Sequence, residues 1–94
     1  MTPDPELVRA FDALGLPCVG AGSAFGAFLD APANPFDAGG VTVHARTREL
    51  TYVSGAVTLP RGSTVFVAGV AYTTLEVPRA LDDGALSVVL MDPA

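Results

Sequence analysis

The sequence predicts a mainly β domain: a small β-sandwich or partly open β-barrel of six to seven strands behind one short N-terminal helix. Three observations predict it. Short apolar stretches alternate with polar residues at a period of two from Ala24 to Met91. Turn signals rich in Gly, Pro and Asp separate these stretches at short intervals. The only stretch with helical periodicity lies before Gly15 and Pro17.

In chain order, residues 1–16 read as the helix. Thr2 or Asp4 caps it, and Pro3 and Pro5 suit a first turn whose N–H groups have no intrahelical partner. Asp4 and Glu6 sit at the positive end of the helix dipole. Leu7, Val8, Phe11 and Leu14 form one apolar stripe. A helix of about three turns is marginal alone, so the stripe is expected to dock, first on its own sheet and otherwise on a neighbouring subunit. Ala24–Leu29 reads as a strand in which Phe25 opposes Phe28 across Gly26. Further strands are expected at Val41–Arg46, Glu49–Val53 and Val57–Leu59. Thr64–Ala68 and Val70–Val77 form a hairpin about Gly69, and Ala85–Met91 closes the chain. Residues 30–40, "DAPANPFDAGG", hold two prolines and two glycines and read as a long loop. No repeat or linker divides residues 1–94, so one domain is expected.

A chain of 94 residues buries only about 60–65% of the surface its unfolded form exposes. Half of its residues are hydrophobic, more than so small a core hides, and the surplus points to a partner. A membrane is not that partner. The longest uncharged run, Ala13–Leu29, has 17 residues with four glycines and a proline, short of the ~20 apolar residues a spanning helix needs. The start "MTPDPEL" lacks the basic region of a signal peptide, and a lone Cys18 rules out a disulfide framework. These features place the protein in a cytosol-like compartment or in a particle assembled there.

Net charge is −5 with no lysine, which argues against a grip on nucleic-acid phosphates. The charge is uneven: residues 1–40 carry −4, residues 41–79 carry +2 and residues 80–94 carry −3. Arg46, Arg48 and Arg61 fall in the basic middle. Either this is a scattered solvated surface, or opposite patches of neighbouring copies meet head to tail, a heterologous contact that closes into rings.

Catalytic and metal chemistry find little support. His44, the one histidine, sits on the polar side of its expected strand, and Cys18 reads as a small buried apolar residue. No spacing matches a metal site. "GAGSAFG", Gly20–Gly26, misses the dinucleotide glycine pattern by one position and lies between helix and strand in the wrong order, so it reads as a flexible loop entering a strand. No enzyme activity and no cofactor are expected.

In "LPRGSTVFVAGVAYTTLEV", Val65 and Val67 face one way and Phe66 and Ala68 the other. If the valines fill the core, Phe66 is left for a neighbouring subunit; the alternative is a central sandwich strand covered on both faces. Together with "GAFLDAP", "GVTVHARTRELTYV" and "LDDGALSVVLM", this stretch resembles the small head–tail joining proteins of long-tailed phages and prophages, the lambda FII-like head-completion family. The resemblance covers roughly Gly26–Met91. It departs from the family pattern at Ser63, where Asp is usual after Arg-Gly, at Thr74, where Val is usual, and at Leu29, which separates Phe28 from Asp30.

The resemblance implies a structural virion protein without catalysis or cofactor. It would act as a hexameric or dodecameric ring joining the portal–connector assembly of the filled head to the tail terminator or tail tube. DNA would pass through its channel without specific binding, and the ring would help retain the packaged genome. Assembly would occur in the host bacterial cytoplasm, with the product at the head–tail interface of the virion. The contact residues expected are Asp30, Asn34, Phe36 and Asp37 in the loop, with Arg46, Arg48, Arg61 and Phe66. Phe36 is the expected aromatic anchor, and Pro32 and Pro35 lower the ordering cost of the loop. The alternatives are a tail terminator or connector adaptor, a cytosolic small-barrel interaction module, and a hydrolase using His44.

Overall fold

The computed structural model describes residues 3–31, 46–81 and 84–94. Seven strands follow one helix: α1 (Pro5–Leu14), β1 (Leu16–Gly20), β2 (Ser23–Asp30), β3 (Arg48–Val53), β4 (Thr64–Val67), β5 (Val70–Thr74), β6 (Arg79–Leu81) and β7 (Leu86–Pro93). Six of them run in the order β3-β2-β1-β4-β5-β7, and β7 returns to pair with β3 from Arg48↔Met91 to Val53↔Leu86. The barrel is therefore closed rather than partly open, which removes the free edges of an open sheet. β6 is an extra strand beside the first half of β7.

Alternation fills the interior. Cys18, Phe25, Ala27, Leu50, Tyr52, Val65, Val67, Val89 and Met91 form one buried cluster, with Phe25 and Tyr52 edge to face at 5.8 Å. Val57 and Leu59 join it without forming the strand expected there. On β4 the inward Val65 and Val67 alternate with exposed Thr64 and Phe66, whereas on β7 Val88, Val89, Leu90 and Met91 are all buried.

Asp4 is the helix cap, its carboxylate accepting the Glu6 N–H at 2.9 Å. The helix docks on its own barrel. Phe11 is buried and meets Phe28 edge to face at 4.8 Å. Two glycines permit this approach: a Cβ on Gly26 would lie 2.4 Å from the Phe11 carbonyl oxygen, and one on Gly15 would lie 2.6 Å from the same atom. Leu14 does not belong to the docked stripe; it is 76% exposed, because the chain turns at Gly15 before that side chain reaches the barrel.

Besides the missing strand at Val57–Leu59 and the unexpected β6, the strand pattern differs from expectation in three respects. β1 occupies Leu16–Gly20, where a helix exit and flexible loop were expected. Its hairpin with β2 closes through Ala21-Gly22, both with positive φ (50° and 78°) and joining the pair Gly20↔Ser23. Two consecutive left-handed residues are the turn that matches strand twist. Ala68-Gly69 (49° and 85°) repeats it between Val67 and Val70. Second, β5 ends at Thr74 rather than at Val77. Third, Leu75 and Glu76 continue along β7 by other means: the Leu75 N–H donates to the Leu90 carbonyl at 2.8 Å, and the Leu90 N–H donates to Glu76 Oε2 at 3.2 Å. The Glu76 carboxylate thus replaces a backbone acceptor where β7 passes from β6 to β5, and Arg79 Nε lies 3.3 Å from the same oxygen. The expected strand Val41–Arg46 lies outside the described residues except for Arg46, which is an exposed turn residue.

Candidate interaction surface

Because Val65 and Val67 point inward, at 0% and 2% exposure, Phe66 between them points out and remains 47% exposed. The registers Ala24↔Val19, Val19↔Phe66 and Phe66↔Ala71 set four apolar residues side by side across β2, β1, β4 and β5. Val19 is 49% exposed. The remaining outward positions of β1, β4 and β5 are Pro17, Thr64 and Thr73, so this wall carries no charge. Contiguous apolar surface, unlike singly scattered exposed residues, marks a candidate for contact.

The outward direction of Phe66 follows from its alternation with the two valines. Val19 was missed because residues 16–20 read as a helix exit and the start of a loop, and without that strand Ala24, the first residue of the expected strand Ala24–Leu29, had no partner across from it. One signal pointed to them: "AG" at 21–22 is the same dipeptide as the "AG" at 68–69 that was read as a hairpin turn.

The other expected contact residues divide between the two ends of the barrel. Asp30 ends β2, while Arg46 and Arg48 lie at the start of β3, so these three share the end at which residues 32–45 join the two strands. Arg48 Nη1 donates to the Thr47 carbonyl at 2.9 Å, and the buried Thr47 hydroxyl donates to Asp92, tying β3 to the far end of β7. Arg61 is at the opposite end, on the turn before β4. There the Ser63 N–H donates to the Pro60 carbonyl at 3.1 Å and Gly62 has φ 81°, the geometry of a type II turn. The buried Thr74 hydroxyl donates to Pro60 and accepts the Ser63 N–H, both at 2.9 Å, and the Ser63 hydroxyl also donates to Pro60. Arg61 is thus an exposed cation on a rigid mount. Asn34, Phe36, Asp37 and His44 lie outside the described residues.

Beside the helix is a cleft of about 220 Å³. Val8, Phe11, Ala24, Gly26, Val53 and Ala56 line most of it, and Asp12 stands at its rim. Three carboxylates of the helix segment, Asp4, Glu6 and Asp12, are exposed alongside Arg9, so this flank is acidic.

Cys18 lies inside the barrel wall at 2% exposure, and burial pushes its thiol up to about 11. It is protonated and inert at neutral pH. Burial also raises the Tyr52 phenol, with a hydrogen bond to Ser87 opposing the shift. Among the described residues no three His, Cys, Asp or Glu side chains are grouped to hold a metal ion, and no helix is long and apolar enough to cross a membrane.

No family model matches this chain, and neither the curated proteins nor the solved structures contain a significant match to it.

Proposed function

We propose that this protein is a structural subunit of a phage-type head–tail joint. It assembles as a ring between the portal–connector of the head and the tail terminator or tail tube, and DNA passes through the ring without specific binding. The observation that carries this reading is the uncharged apolar wall of Val19 and Phe66 on a closed barrel. Closure leaves few strand edges for pairing with another chain, so association must proceed through side-chain surfaces, and the wall supplies one. The resemblance of Gly26–Met91 to the lambda FII-like family gives that association its setting. Asp30, Arg46 and Arg48 frame the barrel end that bears residues 32–45, and we assign this end to contact with the head or tail.

The test is reconstitution. Heads bearing the connector but lacking this protein are mixed with tails and with the purified chain, and joined particles are counted by electron microscopy. Joining only when the chain is present supports the reading. Unchanged counts with and without it contradict the reading and favour a small-barrel interaction module.

A further inference from the structure

We infer that the apolar wall receives a helix from another protein: an amphipathic helix of about three turns, with lysine or arginine along one edge, lying beside α1 over β2, β1 and β4. The joint reading supplies only the source of that helix, a neighbouring component of head or tail; the seat itself follows from the barrel.

The cleft beside the helix and the apolar wall are one continuous surface. Next to the cleft of about 220 Å³ lies a more open stretch of about 590 Å³ that runs from Gly15 along Pro17 and Val19. Asp12, Ala24, Phe25 and Gly26 line both. From Ala24 the same row continues through Val19 to Phe66. The surface is thus a trough, with the C-terminal half of α1 as its side and the outer face of three strands as its floor. Ala24 and Gly26 keep the floor low beside the helix, and Val19 and Phe66 rise beyond them, each about half exposed. The scale is set by α1, whose ten residues pack across β3, β2 and β1 and extend about 15 Å. A second helix of that length, shifted by one strand, covers β2, β1 and β4 at about the 8–10 Å spacing of packed helices.

The backbone of the floor decides what can lie on it. β2, β1 and β4 each have a paired neighbour on both sides in the closed barrel, so the floor offers no strand edge to an extended chain. A segment laid on this apolar floor has to satisfy its own N–H and C=O groups, and a helix does so internally. Its apolar stripe then meets Val19 and Phe66, with Phe66 as the aromatic anchor.

Charge decides which helix. Asp12 is exposed and lines both stretches of the trough. It lies in the last turn of α1, which holds no basic residue, so the negative end of the helix dipole adds to its carboxylate. The floor carries no charge of its own. The trough therefore favours a cationic edge. A second copy does not match it. Among the described residues α1 is the one helix, its Phe11 is already buried on its own barrel, and it exposes Asp4, Glu6 and Asp12 against Arg9 alone. A second α1 in the trough would set carboxylates against Asp12.

The experiment uses the full chain and a synthetic peptide of about fifteen residues, long enough to hold a helix. It is built of leucine, alanine and lysine, with leucines on one face and lysines along its edges. One control has the same residues in an order that gives no apolar face, and the other has glutamate in place of lysine. Binding is read by fluorescence anisotropy of the labelled peptide and by amide chemical shifts of the isotope-labelled chain. Expected is binding of the lysine peptide at about 10–100 µM, with shifts gathered at Val19, Ala24 and Phe66, and binding of either control at least about tenfold weaker. Phe66→Ser is expected to weaken it about tenfold. Asp12→Lys is expected to weaken it about threefold and to improve binding of the glutamate peptide. No binding below about 1 mM, equal binding of the peptide without an apolar face, or shifts away from the wall overturns the inference. So does a dimer of the chain that Phe66→Ser dissolves, since a second copy then covers the wall. Peptide binding by a chain that joins no heads to tails keeps the seat and removes the joint reading. Joining by a chain that binds no peptide at the wall does the reverse.

Discussion

Gly26→Ala tests whether the helix is held by backbone contact. The new Cβ would lie 2.4 Å from the Phe11 oxygen, 2.7 Å from the Phe11 carbon and 2.8 Å from the Asp12 nitrogen. All three are backbone atoms, so no side chain can rotate aside. Relief requires the helix to lift by nearly 1 Å, and overpacking of this kind costs about 1–3 kcal/mol. Lifting also loosens the Phe11–Phe28 contact, worth about 0.5–1.5 kcal/mol beyond its buried area. The expected total is about 3 kcal/mol, a large share of the about 5–10 kcal/mol that holds a domain of this size together. Urea unfolding followed by far-ultraviolet circular dichroism reads it directly. With a slope near 1–1.5 kcal/mol per molar, the midpoint should fall by about 2–3 M. A shift below about 0.5 M would refute the reasoning.

Other outcomes follow from the same geometry. Ala68→Asn, at φ 49° in a hairpin turn, should raise stability by about 0.5–1 kcal/mol, because Asn tolerates the left-handed conformation better than Ala; thermal melting checks this, and a lower Tm contradicts it. Glu76→Ala strands the Leu90 N–H and removes the partner of Arg79, for a loss of about 1–3 kcal/mol, with faster amide exchange at Leu90 as the local signature. Cys18 contributes a pH dependence. Its thiol pKa is higher folded (about 11) than unfolded (9.0), so the unfolded chain loses this proton first. Stability should therefore fall as pH rises from about 9 to 11, and Cys18→Ala should flatten that decline.

The alternation of single residues was legible wherever one face of a strand meets the core. Val65, Phe66 and Val67 fall where their period of two places them, and so do Leu50 and Tyr52. The docking of Phe11 was legible from helical spacing, but Leu14 of the same expected stripe stays exposed. What could not be read was determined by contacts distant in sequence. Leu16–Gly20 contains a proline, a cysteine and a glycine and has little intrinsic strand preference. It is a strand because β2 and β4 pair with it on both edges. Gly26 reads as a kink, yet its use is to admit the helix backbone. Closure depends on the register of β3 with β7, separated by more than thirty residues, which no local pattern specifies. The apolar wall was half visible: alternation exposed Phe66, but its neighbour Val19 becomes apparent only once β1 is in place.

The central claim is that the chain forms a ring that joins heads to tails, and its most direct measurement is molar mass by multi-angle light scattering, first on the protein alone and then on its mixture with connector-bearing heads. The account predicts closed assemblies of about six to twelve chains, or single chains that bind heads at that same stoichiometry. A monomer that remains a monomer in the presence of heads would contradict it.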